Sequence, residues 1–201
     1  LRGLYLILSD PVVGYERLAE VAVRAGVTAI QLRAKRLEGG LLLALARRLR
    51  AIVRSERTLF FVNDRPDIAR LAQADGVHVG RHDLSVADAR AIAGERMLGG
   101  KSIHNLRQLR AALREAPDYV AMGPVFATAS KERSDPTLGL ERTRGMLERC
   151  PLPAVAIGGV TAETLPGLLA AGFKIYALIA EVNASPRPLA VIRRLQRLHG
   201  Q

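Results

Sequence analysis

Cationic and acidic side chains recur directly after short apolar runs of this sequence. Arg33 and Lys35 follow one such run at alternate positions, so both can project to the same side of a strand. Arginine offers a planar fork of donors and lysine a point charge, and both suit a phosphate or diphosphate. Asp64 and Asp83 follow two later runs and supply hard oxygen ligands, few enough to leave Mg²⁺ some water and phosphate oxygens.

Other polar positions extend this set. Lys131 adds a third cation, and Gly158-Gly159 could turn bare backbone N–H groups toward a second phosphate. Taken singly, Asp64 and Asp83 could each cap a helix, and the two glycines could form only a tight turn. The joint pattern predicts Mg²⁺-dependent chemistry on a diphosphate, with another phosphorylated ligand nearby. The further polar candidates are Gln31, Asn63, Ser102, Thr128 and Ser130.

The apolar runs alternate with stretches that carry apolar residues at helical spacing. Each run is apolar nearly throughout, which is typical of strands buried on both faces of a parallel sheet. The predicted strands cover residues 3–8, 29–32, 59–62, 76–79, 97–102, 119–122, 154–157 and 175–179. The predicted helices cover residues 15–24, 41–54, 67–73, 85–93, 106–115, 140–149, 162–170 and 189–198.

Eight such units in 201 residues predict a closed (β/α)8 TIM barrel that forms one domain over residues 1–201. A doubly wound sheet is the alternative, but it usually has fewer strands and a glycine-rich turn after the first. In a barrel the polar candidates gather on one face, at the carboxyl ends of the strands. The connection over residues 123–139 is unusually long and is interpreted as a lid over that face.

Composition narrows the classes of partner. The net charge is +11, but the arginines are spread along the helical stretches without interleaved aromatic residues, so no nucleic-acid partner is expected. No apolar run approaches the ~20 residues of a membrane span. The single cysteine, Cys150, excludes an internal disulfide and fits a reducing cytosol. We therefore expect a cytoplasmic protein that does not bind a membrane.

Two further motifs resemble known sites. Gly99-Gly100-Lys101-Ser102 looks like part of a Walker P-loop, but the first glycine of that motif would fall at Glu95. His78 lies in a predicted strand and is expected to be a packed or hydrogen-bonded core residue, whereas His104 could reach the site. No zinc-like ligand spacing is present.

The sequence resembles the thiamin phosphate synthase family, in order, over nearly the whole chain. The matching stretches are Gly-Leu-Tyr-Leu at 3–6, Gln31-Leu-Arg33-Ala-Lys35, Val62-Asn63-Asp64-Arg65, Ala74-Asp-Gly-Val-His-Val-Gly80 with Asp83, Ser102-Ile-His-Asn105, Asp118-Tyr-Val, Gly123-Pro-Val-Phe with Thr128 and Lys131, and Ala156-Ile-Gly-Gly159.

The resemblance implies an activity and a role for each candidate. In the family, diphosphate leaves a hydroxymethylpyrimidine, and the ring nitrogen of a thiazole phosphate captures the resulting carbocation to form thiamin phosphate. Asp64 and Asp83 would hold Mg²⁺, and Gln31 would face the pyrimidine. The diphosphate would be held by Arg33, Lys35, Asn63, Ser102 and Lys131. The candidate catalytic residues among them are Arg33, Lys35, Ser102 and Lys131. The thiazole phosphate would be held by Thr128, Ser130 and Gly159. The resemblance also implies a homodimer.

Departures from the family pattern keep two alternatives open. Ala180 stands where a serine near the phosphate is usual, and Glu181 puts an anion close to it. The segment Gly100 to His104 is similar to that of the thiazole tautomerases, a sister group that isomerises the thiazole phosphate by proton transfer. Pro124, and the presence of both Asp64 and Asp83, favour the synthase. The second alternative is a regulatory or ligand-binding barrel without turnover.

Overall fold

Eight parallel strands form a closed barrel in which each strand pairs with the next along the chain and the last pairs with the first. The computed structural model describes residues 2–54, 57–128 and 136–200. Each strand agrees with its predicted span to within one residue at either end, so the TIM barrel prediction is confirmed. The strands are β1 Gly3–Leu8, β2 Ala29–Leu32, β3 Leu59–Asn63, β4 Gly76–Val79, β5 Leu98–Ile103, β6 Tyr119–Met122, β7 Ala154–Ala156 and β8 Ile175–Leu178.

Helices surround the barrel, and α2 shows why they form. Its residues Leu42, Leu45, Ala46 and Leu49 are buried at helical spacing against the strands. The helices in the described residues are α1 Tyr15–Ala25, α2 Gly39–Ile52, α3 Pro66–Leu71, α4 Val86–Ala93, α5 Leu106–Arg114, α6 Leu140–Leu147, α7 Leu165–Ala170, α8 Ala180–Asn183 and α9 Pro188–His199. The sequence did not predict α8. Within the described ranges no helix is long and apolar enough to cross a membrane.

Three aromatic rings pack together inside the barrel. Tyr5, Phe61 and Tyr119 lie with their ring centroids 5.5–5.8 Å apart and are almost fully buried. Two strand glycines make room for them, because a Cβ atom at Gly76 would lie 2.2 Å from the Phe61 ring and one at Gly100 would lie 2.2 Å from the Tyr119 ring. The rings therefore form a floor beneath the open end of the barrel.

At the opposite end of the barrel, two carboxylates each contact a strand N–H and a helix arginine. Asp75 Oδ2 accepts the Phe60 N–H at 2.7 Å and pairs with Arg50 at 2.8 Å. Asp118 Oδ2 likewise accepts the Gly99 N–H at 2.6 Å and pairs with an α4 arginine at the same distance. Each carboxylate ties the start of a strand to a helix, on the face where barrels carry stability rather than catalysis.

The alternation of β5 separates two neighbouring polar residues. Lys101 points outward, where its Nζ lies 3.2 Å from a carboxylate oxygen of Glu115 and 3.3 Å from the Leu84 carbonyl oxygen. Ser102 points inward, since successive side chains of a strand face opposite sides. Gly99 to Ser102 lie within this strand and not in a loop before a helix, so they do not form a P-loop.

Candidate active site

A cavity of about 420 Å³ opens at the carboxyl ends of β5 to β8. Three of the predicted site residues, Ser102, Thr128 and Gly159, line it together. The other lining residues are His104, Ala121, Gly123, Pro124, Ala127, Ile157, Gly158, Val160, Thr161, Ala177, Ile179, Ala180 and Glu181. Its wall consists mainly of small side chains and backbone, which leaves peptide groups accessible to a ligand.

The loops after β6 and β7 pack backbone against backbone along this wall. Gly158 and Gly159 have φ angles of +95° and +63°, where residues with a side chain are strained. A Cβ atom at Gly158 would lie 2.5 Å from Pro124, and one at Gly159 would lie 2.5 Å from the Ala127 carbonyl oxygen. The Phe126 N–H donates to the Gly158 carbonyl at 3.0 Å. Glycine is therefore required at both positions, because a side chain would be strained at these φ angles and would overlap with neighbouring atoms.

Acidic and basic residues gather at the same end of the barrel, after β2, β3 and β4. Lys35 Nζ lies 3.1 Å from Asp64 Oδ2, which also accepts a hydrogen bond from Asn63 Nδ2 at 2.5 Å. Asp83 Oδ2 accepts the Gly80 N–H at 3.0 Å. Asp64 has a φ angle of +59°, a conformation that is uncommon outside glycine and that marks sites under constraint.

The two predicted metal ligands contact each other. Partial burial raises the pKa of Asp83 above its ordinary value, and the charge and side-chain contact of Asp64 raise it further. Neither residue caps a helix, because Arg65 and Ser85 occupy the N-cap positions of α3 and α4. A divalent cation between the carboxylates would remove their repulsion. No cluster of three or more His, Cys, Asp or Glu exists among the described residues, and a pair of carboxylates suits Mg²⁺.

Gln31 and Arg33 lie on the inner side of the barrel beside this pair. Gln31 is 2% exposed, and its Nε2 donates to the Tyr5 hydroxyl at 2.9 Å. Arg33 Nη1 donates to the Ser9 hydroxyl at 3.2 Å. The structure thus divides the candidates between two neighbouring regions. One region is the cavity, and the other is the group formed by Gln31, Arg33, Lys35, Asn63, Asp64 and Asp83, none of which lines the cavity.

The predicted lid is described only at its two ends. The Leu138 N–H donates to the Pro124 carbonyl at 2.8 Å, and the Gly139 N–H donates to the Val125 carbonyl at 3.0 Å. These bonds hold together the base of the connection. Ser130 and Lys131 lie outside the described residues, and their roles stay predictions.

His78 is buried and hydrogen-bonded, as expected, but it also contacts a site residue. Its Nε2 lies 2.9 Å from the Ser102 hydroxyl, and its Nδ1 lies 2.9 Å from the Tyr119 hydroxyl. From the sequence His78 was expected only in the core, because its neighbours in the strand are apolar. His104 lines the cavity, and its Nδ1 contacts the Gly123 carbonyl oxygen. A carbonyl only accepts, so Nδ1 of His104 carries a proton.

Glu181 lies where the sequence suggested, beside Gly158 and Gly159 on the cavity wall. Burial, and then the charge of Glu163, raise the pKa of its carboxyl. Its Oε2 is buried and has no hydrogen-bond partner in the part of the chain that the structure describes. Ionisation of a buried carboxyl that accepts few hydrogen bonds is unfavourable in free energy.

Asn183 supports the site, although nothing in the sequence predicted it. It is 4% exposed; its Nδ2 donates to the Ile7 carbonyl at 2.7 Å, and its Oδ1 accepts the Ser9 N–H at 2.9 Å. Through Ser9 it supports the position of Arg33. A single polar residue near the end of an apolar stretch gave no sequence signal for this role.

Comparisons with known proteins identify the family. A family model described as thiamine monophosphate synthase matches residues 4–182. Thiamine-phosphate synthase of Laribacter hongkongensis is 38% identical, over 98% of this chain and 95% of its own length. That of Synechococcus sp. (strain WH7803) is 41% identical over 94% of this chain, which spans only 55% of the length of that protein.

The solved structures agree with the sequence relatives. Thiamine phosphate pyrophosphorylase from Pyrococcus furiosus superposes with a TM-score of 0.90 at 29% identity, covering 98% of this chain and 95% of its own. A 3-hexulose-6-phosphate synthase superposes with a TM-score of 0.67 at 18% identity, which shows the fold alone. These matches confirm the predicted family and support thiamin phosphate synthase function, a transferase activity of thiamine biosynthesis. The chain belongs to the thiamine monophosphate synthase family.

Proposed function

We propose that this chain condenses hydroxymethylpyrimidine diphosphate with thiazole phosphate in a Mg²⁺-dependent reaction. The observation that carries the metal dependence is the contact between Asp64 and Asp83 beside Lys35 at the mouth of the barrel. The carbon–oxygen bond to the diphosphate breaks, and its electron pair leaves with the diphosphate. The thiazole ring nitrogen then donates its lone pair to the methylene carbon, so the products are thiamin phosphate and diphosphate.

The two regions of the site suit the two substrates. Arg33, Lys35 and Asn63 would bind the diphosphate, together with Lys131 and with Ser102 on the cavity wall. Asp64 and Asp83 would hold Mg²⁺, which when bound supplies positive charge to the leaving diphosphate. The cavity would receive the thiazole phosphate against Thr128 and the backbone of Gly158 and Gly159. The pyrimidine would lie between them, near Gln31.

The barrel floor would protect the cationic intermediate. Tyr5, Phe61 and Tyr119 close the interior below the site, and each is almost fully buried. Water that reached the pyrimidine carbocation would compete with the thiazole nitrogen. A floor without access to solvent therefore favours condensation over hydrolysis.

The first experiment is a coupling assay with both substrates, run with Mg²⁺ and with a chelator and read by mass spectrometry. We expect thiamin phosphate only with Mg²⁺. Asp64→Asn should lower kcat at least about 100-fold, because charge stabilisation of the leaving group is lost. Asp67→Asn is the matched control, since this carboxylate lies three residues on and pairs with Arg65 instead. Product formed equally well with chelator would contradict the metal assignment.

A second candidate is thiazole isomerisation, which the position of His104 favours. Its ring lies on the cavity wall with Nδ1 directed at the Gly123 carbonyl, so in the neutral ring Nε2 carries the lone pair that could accept a proton. Conversion of the thiazole isomer without the pyrimidine diphosphate, lost in His104→Ala, would establish this activity. Protection against heat by diphosphate without any product would instead support a ligand-binding barrel. The homodimer and the cytoplasmic location stay predictions.

A further inference from the structure

A chain of hydrogen bonds crosses the barrel floor and joins the two regions of the site. Gln31 contacts Tyr5 at 2.9 Å, and the hydroxyl of Tyr5 lies 2.8 Å from that of Tyr119. The Tyr119 hydroxyl lies 2.9 Å from Nδ1 of His78, whose Nε2 lies 2.9 Å from the Ser102 hydroxyl. This hydrogen-bond chain begins at Gln31, beside Arg33 and the two carboxylates, and ends at Ser102 on the cavity wall.

The number of hydrogen atoms fixes the direction of the first two links. Burial raises the pKa of both Tyr5 and Tyr119, so each stays a phenol with one hydrogen. The Tyr5 oxygen accepts from Gln31 Nε2, and its own hydrogen then goes to Tyr119. The Tyr119 hydrogen is then donated to His78 Nδ1. Otherwise it would be buried without an acceptor among the described residues, which costs about 1–3 kcal/mol.

The same reasoning fixes the histidine and the serine. Nδ1 of His78 accepts from Tyr119 and so carries no hydrogen, which leaves the ring hydrogen on Nε2, where it is donated to Ser102. We propose that His78 is a positioning residue that carries its proton on Nε2, fills an acceptor site of Ser102 and turns the Ser102 hydrogen into the cavity. Ser102 thereby presents a donor, and not a lone pair, to the ligand.

This inference rests on the proposed function in one respect. If the leaving diphosphate reaches Ser102, a hydroxyl hydrogen fixed in advance stabilises the developing negative charge without reorganisation. Gln31, at the other end, directs Nε2 to Tyr5 and so leaves Oε1 on the other side of its amide. All the hydrogen bonds of the chain run in the same direction, because reversing one donor would require reversing all of them. The orientation of the Gln31 amide and that of the Ser102 hydroxyl are therefore determined together.

Nuclear magnetic resonance tests the tautomer independently of turnover. The protein is labelled with ¹⁵N in histidine, and two-bond proton–nitrogen correlations are recorded at pH 7.5 with and without inorganic diphosphate and Mg²⁺. The His78 signals are assigned by their loss in His78→Gln. We expect a protonated Nε2 and an unprotonated Nδ1. A ring with its proton on Nδ1, or with both nitrogens protonated, would overturn the proposal even if the enzyme is active.

Substitutions in the hydrogen-bond chain test its effect on catalysis. His78→Gln keeps an amide donor near the position of Nε2 and should retain kcat within about threefold. His78→Asn places its amide near Nδ1, cannot reach Ser102, and should lower kcat about 10- to 100-fold with little change in KM. Ser102→Ala should lower kcat about 100-fold. The double variant His78→Asn, Ser102→Ala should be no worse than Ser102→Ala alone.

Tyrosine variants supply the matched control. Tyr119→Phe breaks the chain at its centre and should lower kcat, whereas Tyr176→Phe should not. The Tyr176 hydroxyl is also buried, but it faces α9, where it contacts the Leu195 carbonyl at 3.5 Å. Multiplicative losses in the double variant, or equal effects of the two tyrosine variants at equal thermal stability, would refute a positioning role for His78.

Discussion

The side chains of Asp64 and Asp83 contact each other, although they follow two different strands. The Nζ of Lys35, 3.1 Å from Asp64, supplies a positive charge beside the pair. Two carboxylates in this arrangement destabilise the metal-free protein, which makes the pair sensitive to both protons and divalent cations.

Asp83→Asn should stabilise the metal-free protein and abolish its response to Mg²⁺. The folded-state pKa of Asp83 is raised, so its contribution to stability is complete below the ordinary value and is lost as pH rises through the folded value. At pH 7 the neutral variant avoids this loss, and its Tm should rise on the order of 1 °C, since solvent screens an exposed carboxyl. Thermal melts between pH 4 and 8, with and without MgCl₂, measure both effects. A Mg²⁺-induced rise in Tm equal to that of the unaltered protein would count against the metal site.

Glu181 should make the binding of thiazole phosphate depend on pH. Burial and the charge of Glu163 raise the pKa of Glu181, while Arg194 opposes the shift. As pH falls through that pKa the carboxyl becomes neutral and stops repelling the phosphate. Glu181→Gln should therefore lower KM for thiazole phosphate about fivefold at pH values above the Glu181 pKa, and the two proteins should converge as the pH falls through it. Glu148→Gln at the C-cap of α6 is the control for a lost surface charge, and an unaltered pH profile in Glu181→Gln would refute the effect.

Gly100→Ala should damage both stability and activity. The new Cβ would lie 2.2 Å from the Tyr119 ring, which is closed in on all sides by the barrel. Overpacking of this kind costs about 1–3 kcal/mol. Gly40→Ala is the matched control, because nothing lies within 4 Å of its added methyl group on α2, and it should raise stability by up to about 1 kcal/mol. Urea unfolding compares the two, and equal midpoints would show that the floor tolerates the methyl group.

Lys131→Ala should raise KM for the pyrimidine diphosphate about 10- to 100-fold, because a charge-assisted contact with the diphosphate is lost. Steady-state kinetics at saturating thiazole phosphate measure the change. Lys174→Ala is the control, since this lysine lies at the start of β8, at the opposite end of the barrel. A KM that matches the control would contradict the lid interpretation of the connection that contains Lys131.

Part of this structure could be predicted from the sequence because two rules act locally. Strands buried on both faces must be apolar throughout, so the runs around Phe61 and Val155 were recognisable. Barrels place their ligand-binding residues after the strands, so Asp64 and Asp83 could be expected to meet. The helix α8 was missed because its four residues are too few to show a helical period.

The contacts across the barrel could not be predicted. The link between His78 and Ser102 depends on the register of β4 against β5, which pairs His78 with Gly100. The outward direction of Lys101 depends on the same register. The space that Gly100 gives to Tyr119 depends on the third dimension, and in the sequence this glycine looked like part of a phosphate loop.

Asn183 joins the last elements of the chain to the first. Its contacts with Ser9 and Ile7 span 174 and 176 residues of sequence. Contacts of such separation form slowly, because the entropy of closing a long loop is lost before the contact contributes to stability. The support of Arg33 is therefore completed only when α8 docks against β1. During refolding, the appearance of activity should coincide with closure of the ring and lag behind the recovery of helical signal, so that catalysis itself reports the final step of assembly.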